Sequence, residues 1–216
     1  MKVFKRVGEV YQEVGFWMTL IRALRKISRY IFTSNSAYWL ERDLAEPIPD
    51  IDPVIPVKLT LFSKDETIAW FKQQKESWIY NLPEIACGLK EGHYFPNLKH
   101  EGRIIGYAKI GVGKVYIDDY KQEIQMAPRS TMCYDYYILP EYRGRFLSVY
   151  LIGEILKIGK IHGYNKALCH IPPWNITSIR IAEKLGFKKY KYVRHFRFFH
   201  FLRFWTAKKN CNEKNS

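Results

Sequence analysis

The chain has 216 residues, 47% of them hydrophobic and 16% aromatic, which suits one core-forming domain with an appendage and excludes a disordered polymer. No stretch reaches the roughly 20 uninterrupted apolar residues needed to span a bilayer, and the four cysteines form no C-x-x-C pair. The net charge of +14 sits at the ends: residues 1–36 hold seven Lys/Arg against two Glu, and residues 188–209 hold eight Lys/Arg and no acid.

Basic flanks of this kind are a footprint for anionic polymers or membrane surfaces. At the first end, Val3, Val7, Val10, Val14, Trp17, Ile21, Leu24, Ile27 and Ile31 recur at helical spacing, with Arg22, Arg25, Lys26 and Arg29 on the second half. This predicts a basic amphipathic helical segment over residues 1–36. It either lies in a membrane interface or packs its apolar stripe on the domain or on a second subunit, as in a homodimer. Residues 36–44 are polar and aromatic, and residues 45–56 contain Pro47, Pro49, Pro53 and Pro56, so 37–56 reads as a linker. The domain is expected over 57–205, with a polar tail at 206–216.

Residues 57–62 alternate like a strand, and Ser63 or Asp65 can cap a helix running to about Gln74. Residues 83–90 suggest another short helix. Residues 94–99 and 103–110 read as a hairpin turning at Glu101-Gly102, with 111–116 prolonging its second strand. Residues 118–130 read as a loop and 131–138 as a strand, which places Cys133, Asp135 and Tyr137 on one face and Met132, Tyr134 and Tyr136 on the other.

That strand runs into Leu139-Pro-Glu-Tyr-Arg-Gly-Arg145 and then a helix marked by Phe146, Val149, Tyr150, Ile152, Ile155, Leu156 and Ile158. A strand feeding a basic turn and a helix N-terminus is a ready anion site, because unpaired N–H groups and the positive end of the dipole converge there. Residues 167–171 form the next strand, and residues 176–185 a helix with Asn175 as N-cap and Gly186 as C-cap. Residues 188–199 read as one last strand. Phe201, Phe204 and Trp205 beyond it suit a lipid interface, stacking on bases, or completion of the core.

The segments I-L-P-E-Y-R-G-R (138–145) and N-I-T-S-I-R-I-A-E-K-L-G-F (175–187) resemble the acetyl-CoA motifs of the GNAT (GCN5-related) acyltransferase superfamily. The resemblance covers about residues 100–193. It implies an α/β (α+β) fold: a mixed, mostly antiparallel twisted sheet of six to seven strands flanked by helices, here with the added N-terminal segment. It also implies that the backbone amides of Arg143, Gly144, Arg145, Phe146, Leu147 and Ser148 cradle a pyrophosphate. The main-chain edge at Ile138 and Leu139 would pair with pantetheine, and Asn175, Ser178 and Lys184 would reach the cofactor. Two departures stand out: Phe146 and Ser148 occupy positions where the family has glycines, and Ala182 replaces a tyrosine that protonates the departing thiolate. Phe146 is expected to keep an ordinary negative φ.

Asp135 is the first candidate for the base, because a carboxylate in a largely apolar strand is costly unless paired or functional. The alternative is a structural partner for an arginine. Tyr134 and Tyr136 are further proton carriers, and His170 either relays a proton or is a plain hydrogen-bonder. The histidines show no metal-ligand spacing, so no metal is expected. The implied activity is transfer of an acetyl group from acetyl-CoA to an amine, on a small molecule or a glycolipid. A non-catalytic CoA-binding sensor or partner module is the alternative, and nucleic acid ranks last as a partner. The absence of a leader-like stretch ahead of the first helix, together with unpaired cysteines, places the expectation in a cytoplasm, at the inner face of a membrane.

Overall fold

A computed structural model describes residues 32–73, 82–120, 122–198 and 202–209. The helical reading of residues 1–31 and the tail beyond 209 lie outside them. In chain order the elements are β1 (Phe32–Asp43), β2 (Lys58–Leu61), α1 (Lys64–Gln73), α2 (Leu82–Lys90), β3 (Pro96–His100), β4 (Arg103–Gly111), β5 (Lys114–Ile117), β6 (Gln122–Gln125) and β7 (Ser130–Ile138). A single 3₁₀ turn, Pro140–Tyr142, leads to α3 (Leu147–Ile161), β8 (Lys166–Ile171), α4 (Ile176–Lys184), β9 (Lys188–Phe198) and β10 (Leu202–Lys209).

Eight strands hydrogen-bond in the order β10-β9-β1-β8-β7-β4-β3-β2, and β5 pairs with β6 in a separate hairpin. β7 and β8 are parallel, while β1–β8, β2–β3, β3–β4 and β4–β7 are antiparallel. Among the described residues, tertiary contacts mark a larger unit within 37–192 and a smaller one of 32–36 with 193–198 and 202–208.

β1 corrects the sequence reading, which put its residues in the helical segment and the linker. Polar residues break its alternation, yet Ala37, Trp39, Leu40 and Arg42 are buried and Tyr38 to Asp43 pair with β8. The buried Arg42 guanidinium donates to the carbonyls of Leu185 and Pro47. It thereby ties the strand to the end of α4 and to the proline-rich segment. β10 is a second closing strand where one was expected, and β5–β6 occupies residues read as a strand extension and a loop.

Other expectations hold. Ser63, rather than Asp65, caps α1: its Oγ accepts from the Glu66 N–H at 3.3 Å, and Glu66 Oε2 accepts from the Ser63 N–H at 2.8 Å. The Ser63 backbone N–H, then its hydroxyl, holds the Glu66 carboxyl below its ordinary value.

In the larger unit the sheet buries both faces. Ala108, Tyr136 and Ile138 pack with α3 and α4 in one cluster, which includes Leu40, Leu151, Ile155 and Ile179. Tyr107 and Tyr137, one residue away on the same strands, pack with α1 and α2 around Phe71, Ile85 and Phe95.

Candidate active site

Two neighbouring strands separate to make the site. Parallel pairing of β7 with β8 runs from Ser130↔Lys166 to Cys133↔Cys169 and stops. At the same level the β4–β7 register steps from Lys109↔Asp135 to Ile110↔Cys133, so Tyr134 is an extra, bulged residue. Beyond it β7 follows β4, β8 follows β1, and the space between them is a cleft of about 870 Å³.

The bulge also overturns the simple alternation expected for β7. Cys133 joins Tyr136 and Leu139 against the α3 cluster. Asp135 instead meets Lys109 Nζ at 3.1 Å, and that ammonium lies 5.6 Å from the Phe71 ring. Asp135 therefore has a structural partner, a lysine, and its side chain is still 40% exposed on the cleft.

At one end of the cleft the turn presents an anion cradle. Tyr142 N–H donates to Leu139 O at 2.9 Å and Arg143 N–H to Pro140 O at 3.2 Å. Gly144 then adopts φ +77° and Phe146 φ +56°, ψ 7°. The expectation of ordinary φ at Phe146 is thus wrong. The chain reverses into α3 with a phenylalanine in the left-handed region, a conformation costing about 1–2 kcal/mol without glycine. The ring is 55% exposed, and the Lys184 ammonium stacks 4.6 Å from its centre, which offsets about 0.5–1 kcal/mol of that cost.

α3 has no side-chain N-cap, and its first turn closes with Tyr150 N–H to Phe146 O at 3.0 Å. The N–H groups of Leu147, Ser148 and Val149 precede that bond and have no acceptor within the helix. They point out with the positive end of the dipole.

The arginines are held by neighbours. Arg143 Nε donates to Ile138 O at 3.0 Å with its guanidinium 5.2 Å from the Tyr137 ring, and the Arg145 guanidinium lies 5.7 Å from the Tyr142 ring.

Leu139 N–H donates to Ile105 O at 2.9 Å, next to the Gly106↔Ile138 pair. Leu139 therefore turns its amide toward β4, and by alternation Ile138 and Tyr136 turn theirs toward the cleft. Of the expected pairing edge, Ile138 and Leu139, only Ile138 turns its amide to the cleft, and Tyr136 joins it there. Leu139 and Arg145 lie outside the cleft lining, whereas Ile138, Arg143, Gly144, Phe146, Leu147 and Ser148 are in it.

From α4, Asn175, Ser178 and Lys184 line the same cleft. Asn175 Oδ1 accepts from Ser178 N–H at 3.2 Å, as an N-cap should. Ser178 Oγ is 2.8 Å from Tyr136 Oη. Ala182 follows Ser178 by one turn on the same face, so the Tyr136 phenol stands beside the position where the motif has lost its tyrosine. Burial raises the Tyr136 pKa, opposed by the Ser178 bond, and keeps the phenol protonated.

The other end of the cleft carries groups that the sequence did not connect. Tyr134 Oη is 3.4 Å from His93 Nδ1. His170 Nε2 is 3.3 Å from Asp119 Oδ2, which comes from the β5–β6 turn, and its ring packs on Trp39 and Tyr120. Burial pushes the Cys133 thiol to about 12 and the Cys169 thiol well above its ordinary value, so neither is a thiolate at neutral pH. Lys109, His93 and Asp119 were all missed, since each meets its partner across a ladder or a hairpin and no local spacing announces it. Among the described residues no three His, Cys, Asp or Glu side chains converge as a metal site.

A model of the acetyltransferase (GNAT) family matches residues 59–187. No curated protein sequence matches the chain. Among solved structures, a GCN5-related N-acetyltransferase from Sphaerobacter thermophilus is similar with TM-score 0.52 and 15% identity, over 82% of this chain and 56% of that one. A GCN5-related glucosamine N-acetyltransferase region of a fungal multi-domain GH3 β-N-acetylglucosaminidase has TM-score 0.55 and 15% identity, over 81% and 22%. A Drosophila protein has TM-score 0.53 and 11% identity, over 82% and 57%. The chain thus spans little more than half the length of the Drosophila and Sphaerobacter proteins.

Proposed function

The chain belongs to the GNAT acetyltransferase family, and on that footing we propose that it transfers an acetyl group from acetyl-CoA to an amine. The observation that carries this reading is the uncapped N-terminus of α3 opening onto the cleft where β7 and β8 part. Acetyl-CoA supplies the activated acetyl thioester. The amides of Leu147, Ser148 and Val149 suit its pyrophosphate, with the charges of Arg143 and Arg145 beside them. The Tyr136 and Ile138 edge suits pantetheine added as an extra strand.

In this scheme the Asp135 carboxylate, anchored by Lys109, receives the acceptor's ammonium, and the Tyr134 phenol handles its proton. Tyr136, kept protonated by burial, gives a proton to the departing thiolate in place of the tyrosine that Ala182 replaces. Exposed Phe32, Phe198, Phe204 and Trp205 lie in the basic smaller unit and favour work at an anionic membrane surface, on the cytoplasmic side. Among the described residues no helix is long and apolar enough to cross a membrane. The acceptor is then a small amine or an amino group on a lipid-linked sugar.

Calorimetric titration with acetyl-CoA and longer acyl-CoAs tests the cradle, with Arg143→Ala/Arg145→Ala as the comparison. Micromolar binding that weakens in the variant supports it. The second reading, a CoA-binding module without catalysis, is favoured by the phenylalanine in the left-handed turn position; it predicts binding without turnover on any amine. Absence of binding to every CoA species removes both.

A further inference from the structure

Behind the cleft wall, His93 has no task in the scheme above. It sits in the turn between α2 and β3 and is 7% exposed. Its ring lies against Gly88, where an added Cβ would fall 2.5 Å from Nδ1, so α2 is glycine there to admit it. Nε2 faces two backbone carbonyls, Lys114 at 2.8 Å and Val112 at 3.2 Å. Carbonyls only accept, so the hydrogen is on Nε2 and the lone pair is on Nδ1.

Burial lowers the His93 pKa from 6.5, against the carbonyl bonds of Lys114 and Val112 and the charge of Glu91, so the ring is neutral at pH 7. Its lone pair meets Tyr134 Oη at 3.4 Å, with the two rings edge-to-face at 5.8 Å and 62°. Tyr134 is therefore the donor in that bond, and its oxygen can accept from a cleft ligand. The bulge in β7 is what brings this residue to both partners.

We propose that Tyr134 and His93 form a proton relay for the acceptor amine, with His93 Nδ1 as its terminus. The inference rests on the acetyltransferase reading. The acceptor arrives as R–NH₃⁺ and gives one proton to Tyr134 Oη while Tyr134 passes its own hydrogen to Nδ1. The freed nitrogen lone pair forms the N–C bond to the acetyl carbon, the C–S bond breaks, and its electron pair leaves on the CoA sulfur. A second nitrogen proton ends on that sulfur. The imidazolium keeps its Nε2–H between the Val112 and Lys114 carbonyls, which stabilises the charge until solvent removes the proton. The charged and titratable groups on the elements around the ring are Glu84, Cys87 and Lys90 on α2 with Glu91 after it, Lys114 and Tyr116 on β5, and on β7 Tyr134 itself with Cys133, Asp135, Tyr136 and Tyr137.

The test uses the full chain with acetyl-CoA and a panel of spermidine, glucosamine and phenethylamine, following product by chromatography across pH. His93→Gln and Tyr134→Phe are each expected to lower kcat by about a hundredfold or more with little change in KM. The double variant should be no slower than Tyr134→Phe alone, because both remove one relay. The wild-type rate should fall on acidification below pH 6.5, and His93→Gln should lose that limb. Tyr134→Phe leaves the carbonyl contacts of His93 in place, so it carries the test even where His93→Gln does not fold. Wild-type transfer with single variants within about twofold of it, or losses that multiply in the double variant, overturns the relay and leaves the acetyltransferase reading intact. No transfer to any amine in the panel overturns both.

Discussion

Phe146 offers a test whose sign depends on one backbone angle. At an ordinary helix N-cap the residue is extended, and serine is better than glycine by a few tenths of a kcal/mol because its hydroxyl reaches the amides two or three residues on. Phe146 instead has φ +56° and makes no side-chain cap. Serine there would pay the left-handed cost of about 1–2 kcal/mol, whereas glycine pays none but loses about 0.4–1 kcal/mol through its freer unfolded chain. Glycine should therefore be the more stable by about 0.5–1 kcal/mol, the reverse of the usual order. Both substitutions lose the Lys184–ring contact equally, so it cancels in the comparison. Urea unfolding of Phe146→Ser and Phe146→Gly measures the difference directly. Serine equal to or better than glycine would refute the left-handed cap and with it the account of how the turn enters α3.

Asp135→Asn should destabilise by about 1–3 kcal/mol, less than a fully buried pair because the carboxylate is 40% exposed, and Lys109→Met in the same chain should recover most of it; chemical denaturation of the three proteins decides. Gly186→Ala should destabilise by about 2 kcal/mol or more, since Gly186 has φ +79° and its Cβ would occupy the place of the Arg42 guanidinium. A melting temperature unchanged from wild type would contradict that packing. Iodoacetamide at pH 8 should label exposed Cys87 well before Cys133 and Cys169, whose thiols burial keeps protonated. Peptide mass spectrometry showing equal rates would contradict their burial.

Much of the frame was legible because its signals are local. A cap at Ser63, the Glu101-Gly102 turn, Asn175 and Gly186 each act within three or four residues, and each stands where the sequence offers it. The lost features are long-range or counter to propensity. β1 carries Ser34, Asn35, Ser36, Glu41 and Arg42, so it shows no apolar alternation and gains strand character from pairing with β9 and β8. The bulge at Tyr134 has no glycine or proline to mark it. Phe146 adopts the angle that its side chain disfavours, because the turn and the start of α3 dictate the path between them. His93–Tyr134, Lys109–Asp135 and Asp119–His170 bring together side chains from separate elements, so no spacing rule reaches them.

One register step links these missed features. Had β7 alternated regularly through residue 134, Cys133, Asp135 and Tyr137 would share one face. With the bulge, Cys133 turns to the α3 core while Asp135 keeps Lys109, and Tyr134 reaches His93. The same step coincides with the end of β7–β8 pairing, so it also opens the edge of Tyr136 and Ile138 to a ligand. A cleft and a phenol backed by a neutral imidazole therefore share one structural cause. Deleting Tyr134 should straighten β7 and close its splay from β8 while leaving Asp135 on Lys109, whereas Tyr134→Phe should remove only the phenol. If acetyl-CoA binding survives Tyr134→Phe but not the deletion, the bulge itself makes the site.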